Sequence, residues 1–427
     1  MLPRRHILSL LALSLLIGCG DVAPTTTPVS RVPTSTPFAA IPAAPIATSV
    51  AAPTTARPAN PANPTVTESP TATPGWAGDG WKTNYKRRTV DLQEIRSGGP
   101  PRDGIPPIDH PRFIPPSEAD VWLKDIEPVI AFAQNGVARA YPLQILTWHE
   151  IVNDVVGGLP VTITFCPLCN TAIAYERTLD GIVYDFGTSG LLRDSNLVMW
   201  DRQTETLWQQ FTGEAIVGDL AGKTLERLPA LIISYGEFKA SYPAGSGVLS
   251  RDTGKQRPYG TNPYAAYDDA DQSPFLFDGS VDKRLAPMER VVTVRQNGQY
   301  VAYPYTSLRT KRIVNDAVGE TGIVVVWRSG TVSALDQADI ASSRDIGATA
   351  VYDATLDGRT LTFAPIVDAQ TEPGAAFFRD NETGSGWNLT GKAVQGPMTG
   401  KQLTPIIHGD EFWFVWAAFL PATAIRQ

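Results

Sequence analysis

The chain has 427 residues, of which 43% are hydrophobic and 19% are charged, so it is long enough for two globular domains with buried cores. Its 36 Lys and Arg residues are outnumbered by 43 Asp and Glu residues, which gives a formal net charge of -7. Because nucleic-acid binding depends on dense basic stretches and none occurs, we expect no nucleic-acid partner.

The first 18 residues have the pattern of an export signal. Arg4 and Arg5 precede an apolar run over residues 7–17, which is too short to cross a bilayer as a mature helix. The run ends in Leu-Ile-Gly-Cys, which resembles the bacterial lipobox, in which the cysteine receives a lipid and becomes the new N-terminus. We therefore predict a lipoprotein signal peptide over residues 1–18 and lipidation at Cys19. The protein would be exported and membrane-anchored, facing a periplasm or the cell surface. An ordinary signal peptide with an incidental cysteine is the alternative.

Two segments of low complexity follow the signal. Residues 19–74 are rich in Thr, Pro and Ala with almost no charge, which predicts a disordered tether between the membrane and the globular part. Residues 75–127 contain too many Pro and Gly residues for regular elements, so we expect an extended strap over the surface.

The remainder of the chain is an internal duplication. Three sequence patterns recur without a gap 162 positions later: Gln134-Asn135-Gly136, Ala140-Tyr141-Pro142 and Ile151-Val152-Asn153-Asp154 match Gln296-Asn297-Gly298, Ala302-Tyr303-Pro304 and Ile313-Val314-Asn315-Asp316. Further matches with small insertions extend both copies. We predict a first repeat domain over residues 128–243, a connector over 244–289 and a second repeat domain over 290–427.

Each repeat has the pattern of an antiparallel β domain. It begins with two strands joined at Asn-Gly, the strongest short hairpin signal. A short helix is predicted over residues 143–154, with His149 on its inward face, and alternating strands and hairpins follow. A closing helix is predicted over residues 234–241. The predicted fold class is α+β, mainly antiparallel β, as two tandem homologous β-rich domains with short helices.

The second repeat loses the residues that are best suited to chemistry. In the gap-free register His149, Cys166 and Cys169 are replaced by Lys311, Arg328 and Thr331. Asp201 and Trp208, by contrast, recur as Asp380 and Trp387, which favours a structural role for them.

The Cys-x-x-Cys pattern allows three interpretations. Cys166, Cys169 and His149 supply three ligands for a soft metal, which leaves a fourth position for water with Zn, or for Met199 with Cu(I). A thiol redox pair needs a lowered cysteine pKa, usually from a helix N-terminus, whereas strand is predicted after Cys169. A structural disulfide suits an exported protein, but such a short loop gains little from closure.

Other candidate residues are weaker. Glu150, which becomes Arg312 in the second repeat, is a candidate general base, and Arg193 could bind an anionic substrate or pair with a neighbouring carboxylate. His110 could reach the site only if the strap folds over it, and His408 lies in a loop-like segment of the second repeat. Three connector tyrosines, Tyr259, Tyr264 and Tyr267, either line a cleft or pack the connector.

The chain also resembles a known family. Segments such as Asp-Gly-Ile-Pro-Pro-Ile-Asp-His-Pro-Arg-Phe at residues 103–113 and Thr-Phe-Cys-Pro-Leu-Cys-Asn-Thr at residues 164–171 are similar to uncharacterised exported proteins of domain-of-unknown-function family 3179. The resemblance covers residues from about 98 to the C-terminus, and it implies no particular activity.

We therefore expect an exported, lipid-anchored protein whose first repeat carries a Cys2His soft-metal site, with Zn or Cu as its cofactor, or a thiol-redox site. The alternative from another class is a cell-surface binding or scaffold module in which the cysteines form only a structural disulfide. Whether the protein is an enzyme, and what its small-molecule or protein partner is, are left open by the sequence.

Overall fold

The computed structural model describes residues 65–68, 74–77, 80–242, 245–270, 272–367 and 372–427. The predicted signal peptide, Cys19 and most of the predicted tether lie outside these residues. The described residues belong to one compact unit. Within them, no helix combines the length and the apolar character needed to cross a membrane.

The predicted strap contributes short strands to the edges of the sheets. It has one helical turn of 3-10 type over Leu92–Glu94. Before the strap, β1 (Thr67–Glu68) lies in the predicted tether and pairs with β2 (Arg87–Arg88), so the prediction of a disordered tether is wrong at these two residues. The other elements of the strap, after β2, are β3 (Ile95–Ser97), β4 (Phe113–Ile114) and α1 (Pro116–Ala119).

The first repeat follows the predicted order of hairpin, short helix and further antiparallel strands. Its elements are β5 (Pro128–Gln134), β6 (Val137–Pro142), α2 (Leu143–His149), β7 (Ile151–Val156), β8 (Leu159–Cys166), β9 (Thr171–Glu176), β10 (Thr178–Leu179), β11 (Ile182–Val183), β12 (Phe186–Arg193), β13 (Asn196–Asp201), β14 (Leu207–Gln209), β15 (Ala215–Val217), β16 (Arg227–Leu228), β17 (Leu231–Ser234) and α3 (Tyr235–Ser241).

The connector and the second repeat continue the chain. The connector contains β18 (Gly247–Leu249). The second repeat contains β19 (Arg290–Gln296), β20 (Gln299–Pro304), α4 (Tyr305–Lys311), β21 (Ile313–Val318), β22 (Thr321–Arg328), a 3-10 turn (Ile340–Ser342), β23 (Ala348–Asp353), β24 (Thr355–Leu356), β25 (Arg359–Thr360), β26 (Phe363–Pro365), β27 (Phe378–Asp380), β28 (Gly386–Trp387), β29 (Ala393–Gln395), β30 (His408–Phe412), α5 (Trp413–Phe419) and β31 (Ala424–Ile425).

Antiparallel pairing dominates the sheets, which confirms the predicted α+β, β-rich class. The order β16-β9-β8-β7 in the first repeat corresponds to β21-β22-β23 in the second, and β17-β5-β6 corresponds to β30-β19-β20. Parallel pairing between named strands is confined, within the described residues, to β18 with β6 and β31 with β20. The duplication seen in the sequence is therefore a duplication of strand order.

The repeats also share their polar anchors. The Tyr141 hydroxyl donates to Asp154 over 2.7 Å, and the Tyr303 hydroxyl donates to Asp316 over 2.9 Å. These pairs lie 162 positions apart, in the register of the sequence match. The same interaction therefore fixes the second strand of the hairpin against the following sheet in both repeats.

Each repeat covers a core of the other. Tyr235 and Phe238 of α3 pack in a cluster with Val324 and Val326 of β22, so the last helix of the first repeat contacts the second. Conversely, α5 of the second repeat packs in the cluster that contains both cysteines. The two repeats thus share both clusters, and their closing helices lie where the repeats meet.

The helix predicted over residues 143–154 is wrong in its second half. The helix α2 ends at His149, and Val152 lies in strand β7. Glu150 adopts φ 59°, which turns the chain out of the helix and directly into the strand. His149 is nevertheless fully buried, as the inward-facing position predicted.

Candidate functional site

The Cys-x-x-Cys segment forms a tight turn at the end of a buried strand. Cys166 is the last residue of β8, and Cys169 lies in the turn that leads into β9. The backbone N–H of Cys169 donates to the carbonyl of Cys166 over 3.2 Å, and Asn170 adopts φ 54°, which asparagine tolerates better than most residues. The two Sγ atoms consequently lie 3.3 Å apart, as free thiols.

A neighbouring hairpin turn forms a polar cradle for these thiols. Cys166 is 2% exposed and Cys169 is 0% exposed. The turn at Asp194 and Ser195 places the Ser195 carbonyl 3.2 Å from the Cys169 Sγ, where it accepts a hydrogen bond from the thiol. The side-chain amide of Asn196 donates to the same sulfur over 3.4 Å. The dithiol is therefore buried but not surrounded only by apolar groups.

The surroundings make the two thiols unequal. Burial by itself raises the pKa of Cys166, but hydrogen bonds from Cys169 and from the backbone N–H groups of Leu197, Cys169 and Leu168 outweigh burial and lower it. For Cys169, burial raises the pKa well above its ordinary value, and the adjacent Cys166 sulfur raises it further. Cys166 is thus the thiol that ionises first.

Glu150 places a carboxyl group beside the dithiol. Glu150 is only 7% exposed, and its carboxyl accepts no hydrogen bond from the residues that the structure describes. Burial first, and then the negative charge of Cys166, raise the pKa of the carboxyl well above its ordinary value. The carboxyl and the Cys166 thiol therefore compete for a proton.

His149 faces away from the dithiol. Its Nδ1 lies 2.6 Å from the carbonyl oxygen of Pro106, and its Nε2 lies 2.6 Å from the hydroxyl of Tyr259. Since the carbonyl can only accept, Nδ1 carries the proton and the Tyr259 hydroxyl donates to Nε2. Burial lowers the pKa of His149 to about 4, against the opposing effect of the hydrogen bond to Pro106 and with a smaller contribution from the charges of Arg257 and Lys255. The imidazole is neutral and serves to join the strap, α2 and the connector.

The predicted Cys2His metal site has no support from this geometry. The described part of the chain contains no group of three or more His, Cys, Asp or Glu side chains that could hold a metal ion. Both ring nitrogens of His149 already have partners. Met199 is buried in the same cluster as both cysteines, but the pair of thiols lacks a third ligand from the imidazole.

Arg193 pairs with neighbouring carboxylates, which is the second of the two roles considered for it. Its guanidinium bonds the carboxylate of Glu94 over 2.6 Å, lies 3.9 Å from Asp194 and stacks over the ring of Phe419. These carboxylates neutralise the positive charge with which Arg193 would bind an anionic substrate. Arg193 thus helps to hold β12 against the strap.

The other two candidate histidines make no hydrogen bond to the dithiol turn within the described residues. His110 is exposed on the strap. His408 is buried at the start of β30, where its Nδ1 lies 2.9 Å from the carbonyl of Ile406. Burial lowers the pKa of His408.

In the second repeat, an ion pair fills the place of the dithiol. Arg328, which replaces Cys166, bonds the Glu237 carboxylate over 2.6 Å, and both side chains are buried. Arg328 also donates to the carbonyls of Glu372 and Ala375. The site has therefore changed from sulfur chemistry to a structural link with α3 of the first repeat.

Sequence reasoning missed the cradle residues Ser195 and Asn196. In the register that aligns Trp208 with Trp387, their counterparts are Gly374 and Ala375. Ser195 acts through its backbone carbonyl, which any residue has, so the internal comparison could have found only Asn196, whose amide disappears together with the cysteines.

The family model described as "Protein of unknown function (DUF3179)" matches residues 102–423. This range contains the dithiol, its cradle and both repeats. No curated protein and no solved structure matches the chain.

Proposed function

The chain belongs to the DUF3179 family, and we propose that this member is a thiol–disulfide redox protein whose working group is the dithiol of Cys166 and Cys169. The observation that carries the proposal is the pair of buried free thiols whose Sγ atoms lie 3.3 Å apart. The hydrogen bonds that lower the pKa of Cys166 support it. In such a pair, one thiol ionises readily and acts as the nucleophile, and the second thiol resolves the mixed disulfide.

The reaction needs a disulfide as its second reactant, from a partner protein or a small molecule. The Cys166 thiolate attacks one sulfur of that disulfide, which breaks the S–S bond, releases the first thiolate and leaves a mixed disulfide on Cys166. Cys169 then loses its proton and attacks the Cys166 sulfur, which releases the second thiolate. The dithiol gives up two electrons, and the partner is reduced to two thiols.

Glu150 is suited to move the proton in this sequence. Formation of the mixed disulfide removes the negative charge of Cys166, so the carboxyl of Glu150 becomes easier to ionise and can protonate the first leaving thiolate. The resulting carboxylate can then accept the proton from Cys169. Because no side chain or backbone group in the described part of the chain donates a hydrogen bond to this carboxyl, it is available for both transfers.

The alternatives are less well supported. A zinc site requires further ligands in addition to the two sulfurs, and His149 is bonded elsewhere. A scaffold with a purely structural disulfide gives no reason for a buried carboxyl beside the sulfurs or for the opposite pKa shifts. Two-coordinate Cu(I) binding by the thiols alone is retained as an outcome of the test below.

Export and lipid anchoring remain part of the proposal. The N-terminal pattern that ends at Cys19 would place the dithiol outside the cytoplasm, where disulfide exchange partners occur. Inhibition of the lipoprotein signal peptidase with globomycin should shift the electrophoretic mobility of the protein, and Cys19→Ser should abolish that shift. An unchanged mobility in both would contradict the anchor.

The central experiment is a redox titration of the purified protein in a Cys19→Ser background, followed by alkylation and mass measurement. We expect one two-electron transition that is absent in Cys166→Ser and in Cys169→Ser. With a small disulfide, Cys169→Ser should accumulate a mixed disulfide and Cys166→Ser should not. Metal analysis runs in parallel: one bound Cu(I) or Zn per chain that both cysteine variants lose, with no redox transition, would replace this proposal by the metal alternative.

Glu150→Gln provides a second test. General acid–base groups contribute roughly 100-fold or more to rate, so we expect the conversion of mixed disulfide to intramolecular disulfide to slow by about that factor. Asp154→Asn is a matched control, because Asp154 is a buried carboxyl of the same repeat that bonds Tyr141. Equal slowing in both variants would remove the proton-transfer role from Glu150.

A further inference from the structure

Part of the connector packs against the dithiol turn. Residues 259–268, hereafter the tyrosine lid, form no helix or strand, and the Tyr267 side chain reaches the Cys-x-x-Cys turn. Tyr264 and Tyr267 pack against the cluster that contains both cysteines. Cys166 is 2% exposed and Cys169 is 0% exposed, so a reactant cannot reach the dithiol unless residues packed around it move.

The tyrosine lid contacts the dithiol turn directly. The Tyr267 hydroxyl donates to the carbonyl of Leu168, inside the Cys-x-x-Cys turn, over 3.1 Å. The same oxygen accepts a hydrogen bond from the backbone N–H of Phe275. Tyr264 is close enough for the charges of Glu150 and Cys166 to add to burial in raising the pKa of its hydroxyl.

The second repeat holds this lid in place with a loop that the first repeat lacks. Four residues, 167–170, join β8 to β9, whereas residues 329–347 join the equivalent strands β22 and β23. Three backbone N–H groups of the lid donate to carbonyls of this long loop: Asn262 to Ala338, Ala266 to Asp336 and Tyr267 to Leu335.

Side chains secure both ends of the lid. At its start, the Tyr259 hydroxyl bonds His149. At its end, Asp268 bonds Arg290 of β19 and Arg344 of the long loop, and Arg344 also pairs with Asp336. The lid is thus attached to the first repeat at one end and to the second repeat at the other.

The backbone of the lid is strained between these attachments. Ala266 adopts φ 62°, in the left-handed region that costs an alanine free energy. The N–H of Ala266 donates to the Asp336 carbonyl in that conformation. Release of this hydrogen bond would allow the residue to return to an ordinary φ, which favours opening over a rigid closed state.

We propose that the tyrosine lid opens to admit a reactant to the dithiol and that the 329–347 loop of the second repeat sets how readily it opens. The biological purpose of this gate rests on the proposed redox function, but access to the sulfurs can be measured without any disulfide exchange. The second repeat then controls a site that it no longer contains.

The test is the rate at which iodoacetamide alkylates Cys166 in the folded protein, in a Cys19→Ser, Cys169→Ser background. Tyr267→Phe removes the hydrogen bond to Leu168, and Arg344→Gln removes the link between the loop and Asp268. Each loses interactions of the size of one or two hydrogen bonds, so we expect alkylation to become roughly 3- to 10-fold faster.

Two variants of the second repeat serve as matched controls. Tyr303→Phe removes a hydroxyl that bonds Asp316, and Lys401→Gln removes an exposed pair with Asp357. Both should leave the alkylation rate within about twofold of the parent, since a net hydrogen bond of similar size is lost away from the lid. Each variant is first checked for an unchanged unfolding midpoint or corrected for its shift.

The proposal is overturned if Tyr267→Phe and Arg344→Gln react at the parent rate, if the controls accelerate equally, or if the parent reacts as fast as the urea-unfolded chain. Because alkylation does not require a redox transition, a protein that fails the titration can still pass this test. The two proposals therefore fail separately.

Discussion

Two equivalent positions in the repeats carry very different structures. In the first repeat, β8 ends at Cys166 and a four-residue turn that contains Cys169 follows, whereas after β22 the second repeat has the 329–347 loop, which lies against the tyrosine lid. Arg328 occupies the position of Cys166 and bonds Glu237 of the other repeat. The same strand order can therefore carry a reactive dithiol in one repeat and, in the other repeat, a loop that holds the lid over that dithiol.

The largest effect is expected from breaking the ion pair in the second repeat. Arg328→Ala leaves the Glu237 carboxyl buried without its partner, which should lower the free energy of unfolding by about 3–5 kcal/mol. Cys166→Ala, at the equivalent position of the first repeat, should cost only about 1 kcal/mol. Denaturant unfolding of both variants measures the difference, and equal losses would contradict the contrast between the two positions.

The pH dependence of Arg328→Ala provides the control for this interpretation. Burial already raises the pKa of Glu237, and Arg328 opposes that rise. Without Arg328 the folded-state pKa rises further above the unfolded value, so the variant should be most stable at acid pH and lose stability as pH rises past the ordinary Glu range. Replacing both partners, as in Arg328→Met with Glu237→Leu, should restore much of the loss and remove this dependence.

The next effect concerns His149, which the second repeat replaces with Lys311. Its pKa is lowered from 6.5 to about 4, so its contribution to stability is fully present above pH 6.5 and is lost as pH falls towards 4. The loss should reach about 3 kcal/mol, by the conversion of the pKa difference into free energy. His149→Gln should flatten the unfolding free energy between pH 7 and 4, with exposed His110→Gln as the control. A parent slope that His149→Gln leaves unchanged would exclude this role.

The smallest effect tests what the repeats have in common. The Trp208 indole donates to Asp201 over 2.8 Å, and the Trp387 indole donates to Asp380 over 3.0 Å. Trp208→Phe and Trp387→Phe should each destabilise the protein by about 1–3 kcal/mol, since a buried carboxyl loses a donor. Both should leave the redox transition unchanged. A loss of the transition in Trp208→Phe alone would give this pair a function beyond structure.

Much of the fold could be predicted because it depends on local pattern. Asn135-Gly136 and Asn297-Gly298 fixed the positions of the hairpin turns, and the 162-residue register placed the strands of both repeats. The helix before His149 was found for the same reason. Its end was placed too late, since nothing in the spacing of Val152 distinguishes the next helical turn from the strand that begins after the positive φ of Glu150.

The candidate site was only partly accessible to sequence reasoning. The coupled loss of Cys166 and Cys169 located the dithiol, but it also grouped them with His149, whose imidazole bonds Pro106 and Tyr259. That error arose because burial at a helical position indicates an inward direction and not a particular neighbour. The lid could not be predicted, because its hydrogen bonds join residues that are about 70 positions apart in the chain.

The two clusters that the repeats share have a consequence for how such a protein could be divided. A gene split inside the connector would yield two polypeptides, each with an apolar surface that the other repeat covers in the intact chain. We expect each half alone to aggregate, and the co-produced halves to assemble into a stable heterodimer. In this protein, duplication has produced mutual dependence instead of modularity.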